Sequence, residues 1–438
     1  MGKVVKLEPT ASGQSAAQRR ARAMSARGVG RAPSFDRRRR PRRDKTALVL
    51  GGGGFTGGVY EIGALRALDL LAINSTINQF DVYVGTSAGA FIAALCANGV
   101  TPEEMMRVVT RQGKPAFKDI DIDDLLRLNL TEFARKGALL PLRALGLGRQ
   151  LVSQWRAVSL MDLLLGLAEG LPSGAYTGAG IEHYLHKVLA EPGRSDDFRD
   201  LASELYITAT DLDTCERVVF GVEGTDDVPI SQAVRASGAL PMVYAPVRVK
   251  ERELIDGGIV STTNLDIAVE AGARFVVVIN PIVPFVNDFS THVRTLRGKR
   301  HRRVSDMGFP QIGYQAFKLV AHQRLHELAK GWEQRYPGVD IVLIEPEPTD
   351  ELMFQTSMMN FTSRVEIARH GFESVTQHLA GEYERYEEVA KRHGIEISAK
   401  RVRKVMAHFN AEPEQVSAWR KILEGTTGAL LRQASSAG

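Results

Sequence analysis

The sequence predicts an α/β fold on a mainly parallel sheet, and three observations lead there. Two strand–loop–helix units follow one another at 46–71 and 81–98, an arrangement whose crossovers lay the two strands side by side in parallel. Five further β-type runs come later, most of them separated by helical patterns. With 438 residues, 44% of them hydrophobic and 24% charged, the chain is long enough to bury a large core.

The first unit is the run TALVL at 46–50, then glycines, then Ile62, Leu65, Leu68 and Leu71 at helix spacing. The second is DVYV at 81–84, the turn GTSAG, and a helix from Ala90 to Asn98 that stops at Gly99. Strands are expected at 205–210, 217–221, 253–256, 275–280 and 340–346. Helices are expected at 102–112, 178–190, 230–238, 263–272, 311–335 and 361–392, several of them after Thr, Asp or Asn in capping positions. Residues 121–172 are Leu-rich, hold between 127 and 156 six Lys or Arg against the single acid Glu132, and read as an inserted helical cap. Residues 284–309 form a long polar connection holding RTLRGKRHRR. Past 395 come two short amphipathic helices, one with Val402, Val405, Met406 and Phe409, the other with Val416, Trp419, Ile422 and Leu423.

Residues 1–44 are rich in Arg, Ala, Ser and Gly and are read as a disordered basic tail, because they cannot bury enough to fold. The body then runs over 45–392, and a helical extension over 393–438. Charge follows the same division. Residues 1–45 hold fourteen Lys and Arg against Glu8, Asp36 and Asp44, a net of +11, so the rest of the chain carries about −6 against the overall +5. The high pI thus belongs to the tail, and no specific nucleic-acid binding is expected of the body. The tail and the basic cap are candidates for peripheral contact with anionic membrane; solubilisation and, for the cap, plain helical packing are the competing readings.

No apolar stretch reaches the 18 or so residues of a membrane span, no secretory signal is visible, and Cys96 and Cys215 are too few for a disulfide framework. The expected compartment is the cytoplasm, with the membrane surface as a peripheral site.

The chemistry concentrates in two loops and one strand end. Gly85-Thr86-Ser87-Ala88-Gly89 fits the nucleophile elbow G-x-S-x-G, in which a strand turns so tightly into a helix that only small neighbours fit. The hydroxyl of Ser87 then stands at a helix N-terminus, where unpaired N–H groups favour developing negative charge. Upstream, Gly51 to Gly54 and Gly57-Gly58 frame a second strand-to-helix loop whose bare backbone can approach an anion. A nucleotide pyrophosphate would also want an acid about 20 positions on, at the end of the next strand, and that strand ends in Gly85. The oxyanion of a tetrahedral intermediate needs no such acid, and adjacent parallel strands would bring both loops to one sheet edge. Asp256, ending an expected strand before Gly257 and Gly258, is the candidate base, the two glycines leaving room for Ser87. His322 and His326 sit one turn apart on a helix, but the sequence shows no further ligand beside them, so no metal and no cofactor is expected.

These motifs, in this order, resemble the patatin-like phospholipase family: a glycine-rich oxyanion loop, G-x-S-x-G some thirty residues on, and a downstream D-G-G. Ala236-Ser237-Gly238-Ala239-Leu240-Pro241 looks like the family's A-S-x-A-x-P block, and the resemblance covers roughly residues 46–280. It implies a three-layer α/β/α architecture, Ser87 as nucleophile, Asp256 as its dyad partner, the amides of Gly52, Gly53 and Gly54 as oxyanion hole, and no catalytic histidine. The implied substrate is a lipid or other acyl ester. The sequence departs from the pattern in having Thr56 where the family has Arg or Lys, one extra glycine before Val59, and Leu265 at a proline place. A lipid-binding protein that keeps the fold without turnover, or an acyltransferase, would carry the same motifs.

Overall fold

The computed structural model describes residues 44–111, 117–121, 125–136, 172–287, 293–294, 300–301, 303–355 and 361–409. The basic tail, most of the expected cap (137–171) and the second C-terminal helix lie outside these residues.

The two leading units form as expected. Strand β1 (Lys45–Leu50) feeds helix α1 (Gly54–Leu71), and β2 (Val82–Thr86) feeds α2 (Ala88–Ala97), with Leu50 opposite Gly85 in a parallel pair. Helix α3 (Pro102–Thr110) starts at a reciprocal capping box between Thr101 and Glu104, with proline in its first turn. Beyond residue 172 come β3 (Gly174–Tyr176), α4 (Ala179–Leu189), β4 (Glu204–Asp211), β5 (Arg217–Phe220) and α5 (Ile230–Ser237). Then follow β6 (Met242–Tyr244), β7 (Val247–Val249), β8 (Arg252–Asp256), α6 (Leu265–Glu270) and β9 (Ala273–Ile279). A two-residue ladder of β10 (Val293–Arg294) and β11 (Arg300–His301) interrupts the expected polar connection. Helix α7 (Phe309–Ala329), β12 (Asp340–Ile344), α8 (Arg364–Gly381), α9 (Tyr383–Arg392) and α10 (Ala399–Phe409) complete the described chain.

The sheet runs β12, β9, β1, β2, β4, all parallel. Its far side is antiparallel, and the register there matters for the site. Thr208 of β4 pairs with Thr86 of β2 and with Val219 of β5, whereas Ala209 pairs with Asp256 of β8 and again with β5, at Val218. Because β5 fills one edge of β4, β2 and β8 must share the other. They arrive along it from opposite directions and end head to head, at Thr86 and Asp256. Register alone thus delivers the residue after β2 next to the last residue of β8.

Strand alternation splits the core in two. Leu48, Leu50, Phe275, Val277 and Ile279 face a large core with α1 to α5 and α8, while Ala47, Val49, Val276 and Val278 face a smaller one with α6 and Leu325 of α7. This is a three-layer α/β/α sandwich. Val402 and Val405 of α10 are buried in the large core, so residues 399–409 pack as part of the body. Helix α8 lies against α1 at a reciprocal notch: a Cβ on Gly63 would overlap the carbonyl of Ala368, and one on Gly371 that of Tyr60. The single helices expected over 311–335 and 361–392 are each broken, near Gly331 and after Gly381. No helix among the described residues is long and apolar enough to cross a membrane.

Candidate active site

Ser87 joins β2 to α2 at φ 55° and ψ −123°, a conformation that costs a non-glycine residue energy and must be held by its surroundings. Three contacts hold it. Its N–H donates to Ser237 Oγ at 2.8 Å, its carbonyl accepts from Ala90 N at 3.0 Å, and Gly89 N–H donates to the carbonyl of Gly51 at 3.1 Å. The flanking glycines are steric necessities. A Cβ on Gly85 would overlap Ala90, and one on Gly89 would overlap the carbonyls of Leu50 and Gly51.

Asp256 meets Ser87 directly: Ser87 Oγ donates to Asp256 Oδ2 at 2.5 Å. The other oxygen, Oδ1, accepts from Gly258 N–H at 2.7 Å, and the Asp256 main chain is tied to the Ala239 carbonyl and to Thr210 Oγ1, both at 3.0 Å. The carboxyl is buried, and loss of solvation pushes its pKa up to about 6 against the opposing pull of those two hydrogen bonds. The two glycines after it have causes other than room for Ser87. Gly257 clears the carbonyl of Thr208, and Gly258 lets its amide close on Asp256, where a Cβ would sit 3.0 Å from Oδ1.

Asn264, at the N-terminus of α6, ties both halves together. It is buried with φ 39°; its Nδ2 faces Thr86 Oγ1 at 2.9 Å, Thr208 Oγ1 at 3.0 Å and the Ser261 carbonyl at 2.7 Å, and its Oδ1 accepts from Arg217 at 2.9 Å. Ser237 was read as part of a structural block, yet it touches the nucleophile's own amide. Only the folded register shows either role.

The glycine-rich loop lies beside Ser87, close enough that a Cβ on Gly52 would stand 3.3 Å from Ser87 Cβ. Its amides are not equivalent. Gly51 N–H donates to Ile279 O at 2.9 Å and Gly52 N–H to Thr262 O at 3.3 Å, while those of Gly53 and Gly54, at the N-terminus of α1, have no acceptor among the described residues. Two helix N-termini, of α1 and α2, converge here, and both favour negative charge.

Ser87 opens into an apolar cavity of about 150 Å³ lined by Val59, Phe91, Leu95, Met105, Val109 and Tyr184, among others. Arg235, paired with Glu182 at 2.8 Å, and Arg364, 3.6 Å from Asp119, also line it, each with a buried Nε that has no acceptor among the described residues. No imidazole among the described residues bonds Ser87 or Asp256. His370 pairs with Asp350, His378 with Tyr386 and His393 with Asp340. His322 and His326 face Glu345, a third ligand-type group beside the pair that their sequence neighbourhood did not reveal.

Comparison with known proteins points to one family. The patatin-like phospholipase family profile matches residues 48–269. Among curated proteins, the chain is 25% identical over 237 residues to "Probable lipid hydrolase 463L" of Invertebrate iridescent virus 6, covering 53% of this chain and 65% of that one. It is 27% identical over 220 residues to "Uncharacterized protein YqhO" of Bacillus subtilis (strain 168), covering 47% and 63%. The chain thus spans just under two thirds of the length of these relatives. Among solved structures, VipD from Legionella pneumophila aligns over 78% of this chain and 67% of its own at 16% identity and a TM-score of 0.34. The type III effector ExoU aligns over 78% and 53% at 17% identity and a TM-score of 0.30.

Proposed function

The chain belongs to the patatin-like phospholipase family, and from that premise we propose that it is a serine lipid acyl hydrolase acting through an acyl-enzyme on Ser87. The observation that carries the reading is the 2.5 Å contact between Ser87 Oγ and Asp256 Oδ2 at the mouth of an apolar cavity. In this mechanism Asp256 takes the hydroxyl proton as Oγ attacks the ester carbonyl carbon. The carbonyl electron pair moves onto oxygen, where the free amides of Gly53 and Gly54 and the two helix ends stabilise it. Collapse of that intermediate breaks the bond to the alcohol, which leaves with the proton from Asp256. Water, deprotonated by the same carboxylate, then releases the fatty acid and restores Ser87.

Gly52 was assigned to the oxyanion hole with Gly53 and Gly54, and its amide could join only by leaving Thr262. A carboxylate is a weaker base than imidazole, and its burial offsets part of that handicap by raising its proton affinity. The cavity suits an acyl chain. The charges of Arg235 and Arg364 at its wall are met by Glu182 and Asp119, and their remaining Nε donors suit the headgroup oxygens of a phospholipid or lysophospholipid. The test is labelling by a fluorophosphonate probe together with lipid profiling of wild type and Ser87→Ala. Labelling and loss of a lipid ester that both depend on Ser87 support hydrolysis; transfer of the acyl group to an added alcohol in preference to water would make it an acyltransferase; an unlabelled, inert wild type would sink the enzyme reading.

A further inference from the structure

Away from the serine site, one group of side chains has the make-up of a metal centre. His322 and His326 lie one turn apart on α7, on one face, with ring centroids 4.0 Å apart. Glu345 follows directly on β12, and its Oε2 lies 2.7 Å from His326 Nε2. Each of the three offers one ligand atom, all within 4.8 Å of one another, and all three residues are half-buried and so reachable from solvent.

The carboxylate is also held from behind. Oε1 of Glu345 accepts from Nδ2 of the fully buried Asn280 at 2.7 Å, and Asn280 Oδ1 accepts from the Ile282 amide at 3.3 Å. Oε2 is thereby turned toward the two imidazoles. An outer hydrogen bond that orients a ligating carboxylate is the usual support of a metal site. An ion pair between His326 and Glu345 alone would leave His322 without a part, whereas a cation gives all three the same one.

We propose that His322, His326 and Glu345 bind one divalent transition-metal ion, Zn²⁺ by its ligand preference, with solvent as the fourth ligand. Two imidazoles and one carboxylate suit zinc better than Mg²⁺ or Ca²⁺, which take oxygen ligands. Ligand atoms on a tetrahedral zinc at about 2.0–2.1 Å stand about 3.3 Å apart. The His326–Glu345 contact has only to open by roughly half an ångström, and the remaining separations to contract, movements within side-chain rotation. The ion would clip α7 to the carboxyl end of β12. Asn280 extends that clip inward, because the ring of Pro281, next in sequence, packs against Gly53 and Gly57 of the glycine-rich loop.

The experiment uses the full-length protein, stripped with a chelator and titrated with Zn²⁺ against a chromophoric competitor, then with Co²⁺ as a spectroscopic stand-in. One equivalent bound at submicromolar Kd is expected, with visible Co²⁺ bands of a four- or five-coordinate nitrogen–oxygen site and a rise in Tm on adding Zn²⁺. His322→Gln/His326→Gln, on a half-exposed helix face and checked by circular dichroism, should weaken binding at least a hundredfold and abolish both the bands and the rise in Tm; Glu345→Gln should weaken it at least tenfold. Undiminished binding in the double variant would put the ion elsewhere, and a wild-type Kd above about 100 μM would leave no site; either result overturns the proposal. None of these readouts depends on ester hydrolysis.

Discussion

As the proposed base, Asp256 has to be both buried and ionised, and the two demands oppose each other. Its folded pKa of about 6 lies above the ordinary 3.8, so the charged form is the one that folding penalises. Stability from this group is therefore fully present below about pH 3.8 and is lost as pH rises through about 6. Catalysis has the reverse sign. The kcat/KM for a soluble ester should fall about tenfold per pH unit below about pH 6, the signature of an essential base in the free enzyme. Asp256→Asn removes the base and the buried charge together: turnover should drop by about 10²–10⁴ or more, while thermal denaturation at pH 8 finds the variant at least as stable. Gln in place of each histidine in turn should leave turnover within roughly tenfold, and a histidine variant as inactive as Asp256→Asn would replace the dyad with a triad. Glu61 obeys the same rule without a catalytic reason. It is fully buried in α1, both of its carboxyl oxygens lack partners, and burial holds its pKa well above the usual range despite the nearby Gly51 amide. Burial favours its protonated form, and stability from it declines as pH climbs from about 4.5 toward its folded pKa. Glu61→Gln should accordingly gain on wild type between pH 5 and pH 8 in urea unfolding, and parallel curves would show that Glu61 ionises freely.

At the scale of elements, α2 and α3 form much of the cavity wall. From Ser87 to Leu95 the wall follows α2 for about 12 Å at 1.5 Å per residue, a reach suited to an extended acyl chain. Val109→Phe adds a ring to that space from α3. Overpacking should cost about 1–3 kcal/mol of stability. Turnover of long-chain esters should fall at least tenfold relative to short ones, and an unchanged chain-length profile would place the acyl chain elsewhere. The units that hold this wall were legible in the sequence, since apolar residues at helix spacing and loops of small residues mark both βα units. Ser87 and Asp256, which the structure brings into contact, stood out for the same reason: tight turns restrict composition, and composition shows in a string. Asn264 and Ser237 were not, because each acts on residues that only the register of β2 and β8 on β4 brings near. Strands β3, β6 and β7, three residues each, are too short to show a period of two. Glu345 joins His322 and His326 only because β12 ends beside α7.

For the molecule as a whole, charge and packing are set by different segments. The basic segment 1–44 holds thirteen Lys and Arg against three acids, a net of +10, while the chain as a whole carries +5. Its deletion should leave Tm and turnover of soluble short-chain esters unchanged but weaken binding to anionic vesicles, most at low salt where screening is least. Equal vesicle binding with and without it would reject a membrane role. The notch between α1 and α8 has a different consequence, one of time. The glycine of one helix meets the backbone of the other, yet α8 is synthesised roughly 300 residues after α1. At about 5–20 residues per second, the apolar flank of α1 waits about 15–60 s on the ribosome for its cover. Late in that interval the nascent chain comes to hold both Ser87 and Asp256, but not yet the helix that closes the core behind them. Whatever shields α1 from aggregation during synthesis must therefore act from before Ser87 is made until well after Asp256 is.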